Sequence, residues 1–315
     1  MADPDPSQPV LVTGASGFVG RHVVRALLAE GFSVRVLVRR PGRMSAADGR
    51  VAEAVGSVTE GVALTPAAAG CAAVVHLVGI IAERGTQTYE RVHVEGTRSA
   101  LAAAQAAGIR RFVHMSACGT RAHAVSRYHQ TKWQAEELVR GSGLDWTIFR
   151  PSLIHGPDGE FAQMLRAWAF GRQPPFLFMP YFGPGFLGQR ATAQLQPVFV
   201  DDVAEVFARA PDTPDSIGRA YDVVGPDRYT WPEMLHLASS ILRGKPKRAV
   251  GIPAWKALLL ARLPIPLPFN REQVLMALED NTGDPAPLLH DFAGLTLHAL
   301  GPTMAAYRAE MGPAA

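Results

Sequence analysis

The chain has 315 residues, 48% of them hydrophobic, with Lys+Arg 31 against Asp+Glu 28 for a net charge of +3. That length admits one large α/β domain or two domains, and the composition is globular rather than disordered. The basic excess is too thin to argue for nucleic acid or an anionic membrane surface, despite a sequence pI near 9.0. Cys71 and Cys118 cannot build a disulfide framework or a cysteine-rich metal site, and a reducing, cytoplasmic setting is the default. The opening MADPDPSQP lacks the basic and apolar runs of an export signal. The uncharged stretch Gln173–Gln189 is broken by prolines and glycines, and 252–269 by Lys256 and Arg262. Neither supplies the ~20 apolar helical residues of a membrane span, although a greasy surface leaves peripheral membrane association open.

Strand and helix signals alternate along the first half. Val10–Thr13 reads as a buried strand, Phe18–Glu30 as a helix stopped by Gly31, and Ser33–Val38 as the next strand. Ala73–Val78, Arg111–Met115 and Trp146–Phe149 are further strand runs. Between them Tyr89–Ala107 is helical, with Gly96, Ala100, Ala103 and Ala107 on one stripe that lets a helix lie close on a sheet. This alternation predicts a doubly wound parallel sheet covered on both faces, the Rossmann arrangement, over residues 1–150. Residues 151–315 read as a smaller α/β lobe partly interleaved with the first. In it Gly171–Gly188 looks like a long loop, followed by a strand at Pro197–Val200, a helix at Asp201–Arg209, a strand near Ala220–Val224 and a helix at Trp231–Leu242. Leu300, Met304, Tyr307 and Met311 share a helical stripe in the tail.

Thr13-Gly-Ala-Ser-Gly-Phe-Val-Gly20 falls where a strand ends and a helix begins. Gly14 permits the sharp turn, Gly17 lets backbone N–H groups approach a pyrophosphate, and Gly20 allows close helix–strand packing. The helix N-terminus adds free donors and a positive dipole end. A bare tight turn would carry the same glycines; the strand–turn–helix context favours a dinucleotide. An NAD site needs an acid at the end of the second strand. Here that strand ends in Arg39-Arg40, and no acid follows until Asp48. Paired arginines suit a 2′-phosphate, so NADP(H) is preferred over NAD(H), against the alternative of two solvated loop arginines.

Tyr128 and Lys132 stand one helical turn apart on one face. A phenol titrates near pH 10 and needs a neighbouring cation to serve as an acid–base group, which Lys132 supplies while also reaching a ribose. Ser116 ends the strand Arg111–Met115, at the sheet edge where ligands bind, where its hydroxyl could hold a carbonyl or alcohol. Alone, the Tyr–Lys spacing would be an ordinary amphipathic helix; the glycine turn gives it weight. His114, His123 and His129 lack metal-ligand spacing, Cys118 reads as a packed thiol, and Asp201-Asp202 as a helix cap with a first-turn acid.

These features, with Arg150-Pro-Ser152 and Gly156-Pro157, make the chain resemble an extended short-chain dehydrogenase/reductase of the epimerase/dehydratase type. His76-Leu-Val-Gly-Ile80, Arg91–Thr97, Gln196–Val203 and Gly218–Gly225 resemble its atypical branch, which includes the NADPH-binding accessory subunit of respiratory complex I. The resemblance implies pyrophosphate contacts along Thr13, Gly14, Ser16, Gly17, Phe18, Val19 and Gly20, and a 2′-phosphate at Arg39 with Arg40. It implies a nucleotide-lining role for Ser57, Val58, Leu77, Val78, Gly79 and Met115, Pro151 beside the nicotinamide, and Ser116, Tyr128 and Lys132 as the catalytic set. Ser57 stands where relatives often carry an acid near the adenine, and His93 where many carry a relay asparagine; His93 either donates the proton itself or is a helix histidine bonded to a backbone carbonyl. Two functions follow. One is an oxidoreductase or epimerase/dehydratase acting on the carbonyl or alcohol of a small molecule, apolar or quinone-like in view of Phe176–Leu187. The other is a non-catalytic dinucleotide-binding or redox-sensing accessory protein of a respiratory or quinone-related assembly. No feature of the sequence signals an oligomer.

Overall fold

The computed structural model describes residues 8–44, 49–60, 63–263 and 267–311. Asp48, most of the opening MADPDPSQP and part of 252–269 lie outside the described residues. The chain forms two compact units, one of residues 1–151, 200–223 and 284–296, the other of residues 152–199, 224–283 and 297–315.

The first unit is built on β1 (Val10–Thr13), α1 (Phe18–Ala29), β2 (Val34–Val38), β3 (Val51–Val55), α2 (Leu64–Ala68), β4 (Ala73–His76), α3 (Gly96–Ala106), β5 (Arg111–Met115), α4 (Arg127–Arg140) and β6 (Asp145–Pro151). The strand Arg219–Val223 joins them in a seven-stranded sheet ordered Arg219–Val223, β6, β5, β4, β1, β2, β3, parallel at every pairing. The connections reverse direction between β1 and β4. Ligands of such sheets bind outside the carboxyl ends of the strands at that point. β1 and β4 are buried along their whole length, as strands covered on both faces must be. α1 buries Gly20, Val23, Val24 and Leu27, one helical stripe, and the helix Val200–Arg209 packs against it. α4 begins at Ser126, whose hydroxyl accepts the His129 amide N–H, and ends at Gly141.

Several sequence expectations are corrected. β3 gave no clear signal, because it is a half-exposed edge strand of alanine, valine and Glu53. Tyr89–Ala107 is not one regular helix: Glu90–Glu95 is a π-helical turn leading into α3, a distortion common at functional sites. In the second unit Gly171–Gly188 is not all loop, because Met179–Gly183 is a strand paired parallel to Ala249–Pro253. With a partner on one side only, that strand tolerates Pro180, which has no N–H to donate. The core of this unit gathers Leu165, Met179, Met234 and Leu235 with the tail stripe Leu300, Met304, Tyr307 and Met311. The helix Trp231–Arg243 starts with a reciprocal Thr230/Glu233 capping box.

Candidate functional site: the carboxyl edge of the parallel sheet

The Gly14–Gly20 turn sits at the switch point. Gly14 has φ +79, and a Cβ there would lie 3.1 Å from the Leu77 carbonyl carbon and the Val78 amide nitrogen, so the turn lies against the end of β4. Gly17 caps α1 with no side-chain hydrogen bond, and the first turn carries no acid. The leading N–H groups of α1 and its positive end are thus presented to an anion. Gly20 does a different job from the one its sequence position implies. A Cβ there would stand 2.2 Å from the Gly14 carbonyl oxygen and 2.6 Å from that of Ala15, so it permits packing on the turn itself. Ser16 is exposed, with its carbonyl oxygen accepting a bond from Arg21. Phe18 and Val19 are half-buried, Phe18 edge-on to His22. The Thr13 hydroxyl is bonded to His76 Nδ1 at 2.8 Å.

Arg39 and Arg40 are both exposed at the end of β2. The Glu53 carboxylate on the neighbouring strand accepts the backbone N–H groups of Gly42 and Met44 at 2.6 and 2.5 Å. Those bonds hold the Glu53 carboxyl below its ordinary range. The Ser57 hydroxyl pairs with Thr59, and the Val58 side chain is turned into the core against Gly96. Only the backbone of Val58 is left to face a ligand.

Gly79, Lys132 and His93 converge. A Cβ on Gly79 would lie 3.0 Å from Lys132 Nζ and 3.7 Å from His93 Nε2. Lys132 donates to the Met115 carbonyl oxygen at 3.0 Å, joining α4 to the end of β5, and burial drops its ammonium to about 8. Tyr128 is half-buried among the rings of Tyr89, His93 and His129. Burial pushes its phenol up to about 12, the opposite of the depression expected from Lys132.

His93 differs from both sequence readings. Its Nε2 accepts the Ile80 amide N–H at 3.1 Å, which places the ring proton on Nδ1, 2.9 Å from the Thr131 hydroxyl. Burial and the nearby Lys132 charge hold it neutral, well below the ordinary range. It therefore bonds a backbone amide, not a carbonyl, and has no free proton to relay.

Ser116 lies next to Glu136. It is buried, its hydroxyl lies 3.4 Å from the Thr120 hydroxyl and hydrogen-bonds Glu136, and its amide N–H donates to Phe149. Glu136 is fully buried and clasped by Arg150 and Arg140 at 2.6–2.8 Å. Sequence reasoning passed over it, although its position one turn beyond Lys132 on the same face was available. Pro151 is buried at the end of β6, and its carbonyl accepts the Cys118 amide N–H. The Cys118 thiol is raised to about 12, chiefly by burial, which makes it an inert packed cysteine. His76 and His114 stack at 5.6 Å beneath the site. Among the described residues, neither ring nitrogen of His114 has a hydrogen-bond partner.

A glycine turn against β4, an uncapped helix N-terminus and a Tyr–Lys pair at the sheet edge define a dinucleotide-binding α/β protein. A family described as NAD(P)H-binding matches residues 14–166. A ceramide reductase from Caulobacter vibrioides is 33% identical over 76% of this chain and 72% of its own length. A mitochondrial NADH dehydrogenase [ubiquinone] 1 alpha subcomplex subunit 9 from Arabidopsis thaliana is 28% identical over 84% of this chain and 68% of its own. An NADPH-dependent quinone oxidoreductase from Escherichia coli, solved with NADPH, superposes with TM-score 0.72 at 18% identity over 96% of this chain and 99% of that one. The chain belongs to the NAD(P)H-binding family that the match over residues 14–166 and the Caulobacter relative define.

Proposed function

We propose that this protein is an NADP(H)-dependent reductase of a carbonyl group on a small, largely apolar molecule, with Tyr128 as the proton donor. The observation that carries the reading is the phenol itself. Among the described residues no protein group hydrogen-bonds its hydroxyl, and it shares a helix face with the buried Lys132. Bound nicotinamide dinucleotide supplies the hydride. Residues Gly14 to Gly20 hold the pyrophosphate through backbone N–H groups, Arg39 with Arg40 takes the 2′-phosphate, and Ser57, Val58, Leu77–Gly79, Met115 and Pro151 line the nucleotide.

With its phenol raised to about 12, Tyr128 is protonated at neutral pH and gives its proton to a carbonyl oxygen gaining negative charge. Lys132, lowered to about 8, is still mostly a cation at that pH and stabilises the phenolate left behind. Ser116 positions Glu136 and, through it, α4, in place of holding the substrate. The ceramide named for the Caulobacter relative supports an apolar substrate. A second reading, a non-catalytic dinucleotide-binding accessory protein, is favoured by one feature: both nitrogens of His93 are engaged, so no relay runs through it.

NADPH oxidation by the purified protein, screened against quinones, long-chain ketones and keto-amides, tests the proposal. Turnover with one class should fall about 10²–10⁴-fold in Tyr128→Phe while NADPH affinity barely changes. Tight NADPH binding with no turnover anywhere in the screen establishes the accessory reading in its place.

A further inference from the structure

The net charge of +3 hides a segregation. No Asp or Glu occurs between Glu160 and Asp201, nor between Glu233 and Glu272, while these two stretches hold ten lysines and arginines. They meet in the second unit, where Met179–Gly183 pairs with Ala249–Pro253. From the carboxyl ends of those strands emerge a tight turn and a short helix. The turn closes through the Gly185 N–H to the Gln189 carbonyl and the Gly188 N–H to that of Gly185. The helix is Ala254–Leu260.

The helix is inside out. It buries Ala254 and Ala257 and exposes Trp255, Leu259 and Leu260. A helix that serves only a protein core shows water the opposite choice. Leu263 beyond it is 50% exposed, and on the turn Phe186 and Leu187 are each 73% exposed. These are one surface: the Phe186 and Trp255 rings stack at 5.7 Å, and the indole N–H of Trp255 donates to the Phe186 carbonyl at 3.2 Å. Exposed cations adjoin it in Arg190, Lys256 and Arg262, with Lys256 Nζ 5.3 Å above the Trp255 ring.

We propose that this turn and helix form a membrane-docking face that seats on anionic phospholipid bilayers. Phe186, Leu187, Trp255 and Leu259 enter the interfacial layer, and the flanking cations meet the headgroups. Contiguous apolar exposure marks an interaction site. A basic rim drawn from stretches without Asp or Glu favours a negative partner, and an amphipathic indole sits well at the lipid–water boundary. Whole-chain charge offers no argument for such a partner, because it averages over the acid-free stretches. This inference does not depend on the proposed reductase chemistry.

The test is co-sedimentation of the NADPH-loaded protein with phosphatidylcholine vesicles made with or without phosphatidylglycerol. Binding should need the anionic lipid, weaken with salt, and drop about tenfold or more in Lys256→Glu/Arg262→Glu, given about 1 kcal/mol per basic residue at such a surface. Phe186→Ser/Trp255→Ser should lose binding as well. Both variants should keep wild-type NADPH affinity, which shows that they are folded. Wild-type protein that ignores anionic vesicles, or variants that bind them unchanged, would overturn the proposal. So would a wild-type dimer that Phe186→Ser/Trp255→Ser turns into a monomer, since a second copy would then own this face.

Discussion

Glu136 and Arg150 form a two-pronged ion pair, with Nε to Oε1 at 2.8 Å and Nη2 to Oε2 at 2.7 Å, around a carboxylate that is fully buried. The pair ties the helix carrying Tyr128 and Lys132 to the strand that ends at Pro151, and Arg140 and Ser116 complete the carboxylate's bonds. A buried pair gives little net stability, yet removing one partner leaves the other charge uncompensated, at a cost of about 3–5 kcal/mol. Glu136→Gln should therefore lower the free energy of denaturant unfolding by a sizeable fraction of that range. It should also reduce turnover beyond the loss of folded protein, because Lys132 shifts with α4. An unchanged urea midpoint would show that the pair does not fasten the helix.

The glycines of the first turn separate fold from binding. Gly20→Ala puts a methyl 2.2 Å from a backbone oxygen that cannot yield without moving the turn, and overpacking of this kind costs about 1–3 kcal/mol or more. A Cβ at Gly17 meets only the Gly14 carbonyl oxygen, at 3.2 Å. Gly17→Val should thus stay folded and lose NADPH, whereas Gly20→Ala should lose thermal stability even without cofactor. A folded Gly17→Val that titrates NADPH like the wild type would place the dinucleotide elsewhere.

The choice of dinucleotide rests on Arg39. Wild-type protein should bind NADPH more tightly than NADH by about one to two orders of magnitude, the worth of a hydrogen bond to a charged group. Arg39→Asp should reverse the order. Superimposable fluorescence titrations of the two cofactors with wild-type protein would refute this.

His76, His93 and His114 make the fold acid-sensitive. Burial lowers His76 from 6.5 to about 3, and the other two lie well below 6.5. Because the folded values are depressed, only the unfolded chain takes up these protons as pH falls below 6.5. Stability is full above that pH and is lost below it, levelling off for His76 only near its folded value. The loss is about 1.4 kcal/mol per histidine per pH unit within the window. His114→Leu removes a ring with no hydrogen-bond partner among the described residues, and proton uptake on unfolding at pH 5 should drop by about one. Equal pH slopes for variant and wild type would remove His114 from the account.

Taken by itself, the sequence determined what short-range forces set. β1, the glycine turn and α1 follow from a buried apolar run, residues free of a Cβ and a 3.6-residue stripe, all within one stretch of chain. The Tyr128–Lys132 pairing follows from helix geometry alone, and the NAD(P)H-binding class with it. The tertiary structure decided which polar atoms are already taken. Ser116 looks free at the end of its strand, but packing sets its hydroxyl 3.4 Å from that of Thr120 and beside the Glu136 carboxylate. His93 looks like a relay until Ile80 and Thr131 occupy both nitrogens. A buried polar group must find a partner, and that partner is supplied by whichever element the packing brings alongside. Sheet order is decided the same way: Arg219–Val223 returns to β6 because that edge has open backbone groups to satisfy. The separation of charge on the second unit is present in the sequence as two acid-free stretches. Only the pairing of Met179–Gly183 with Ala249–Pro253 makes them one surface.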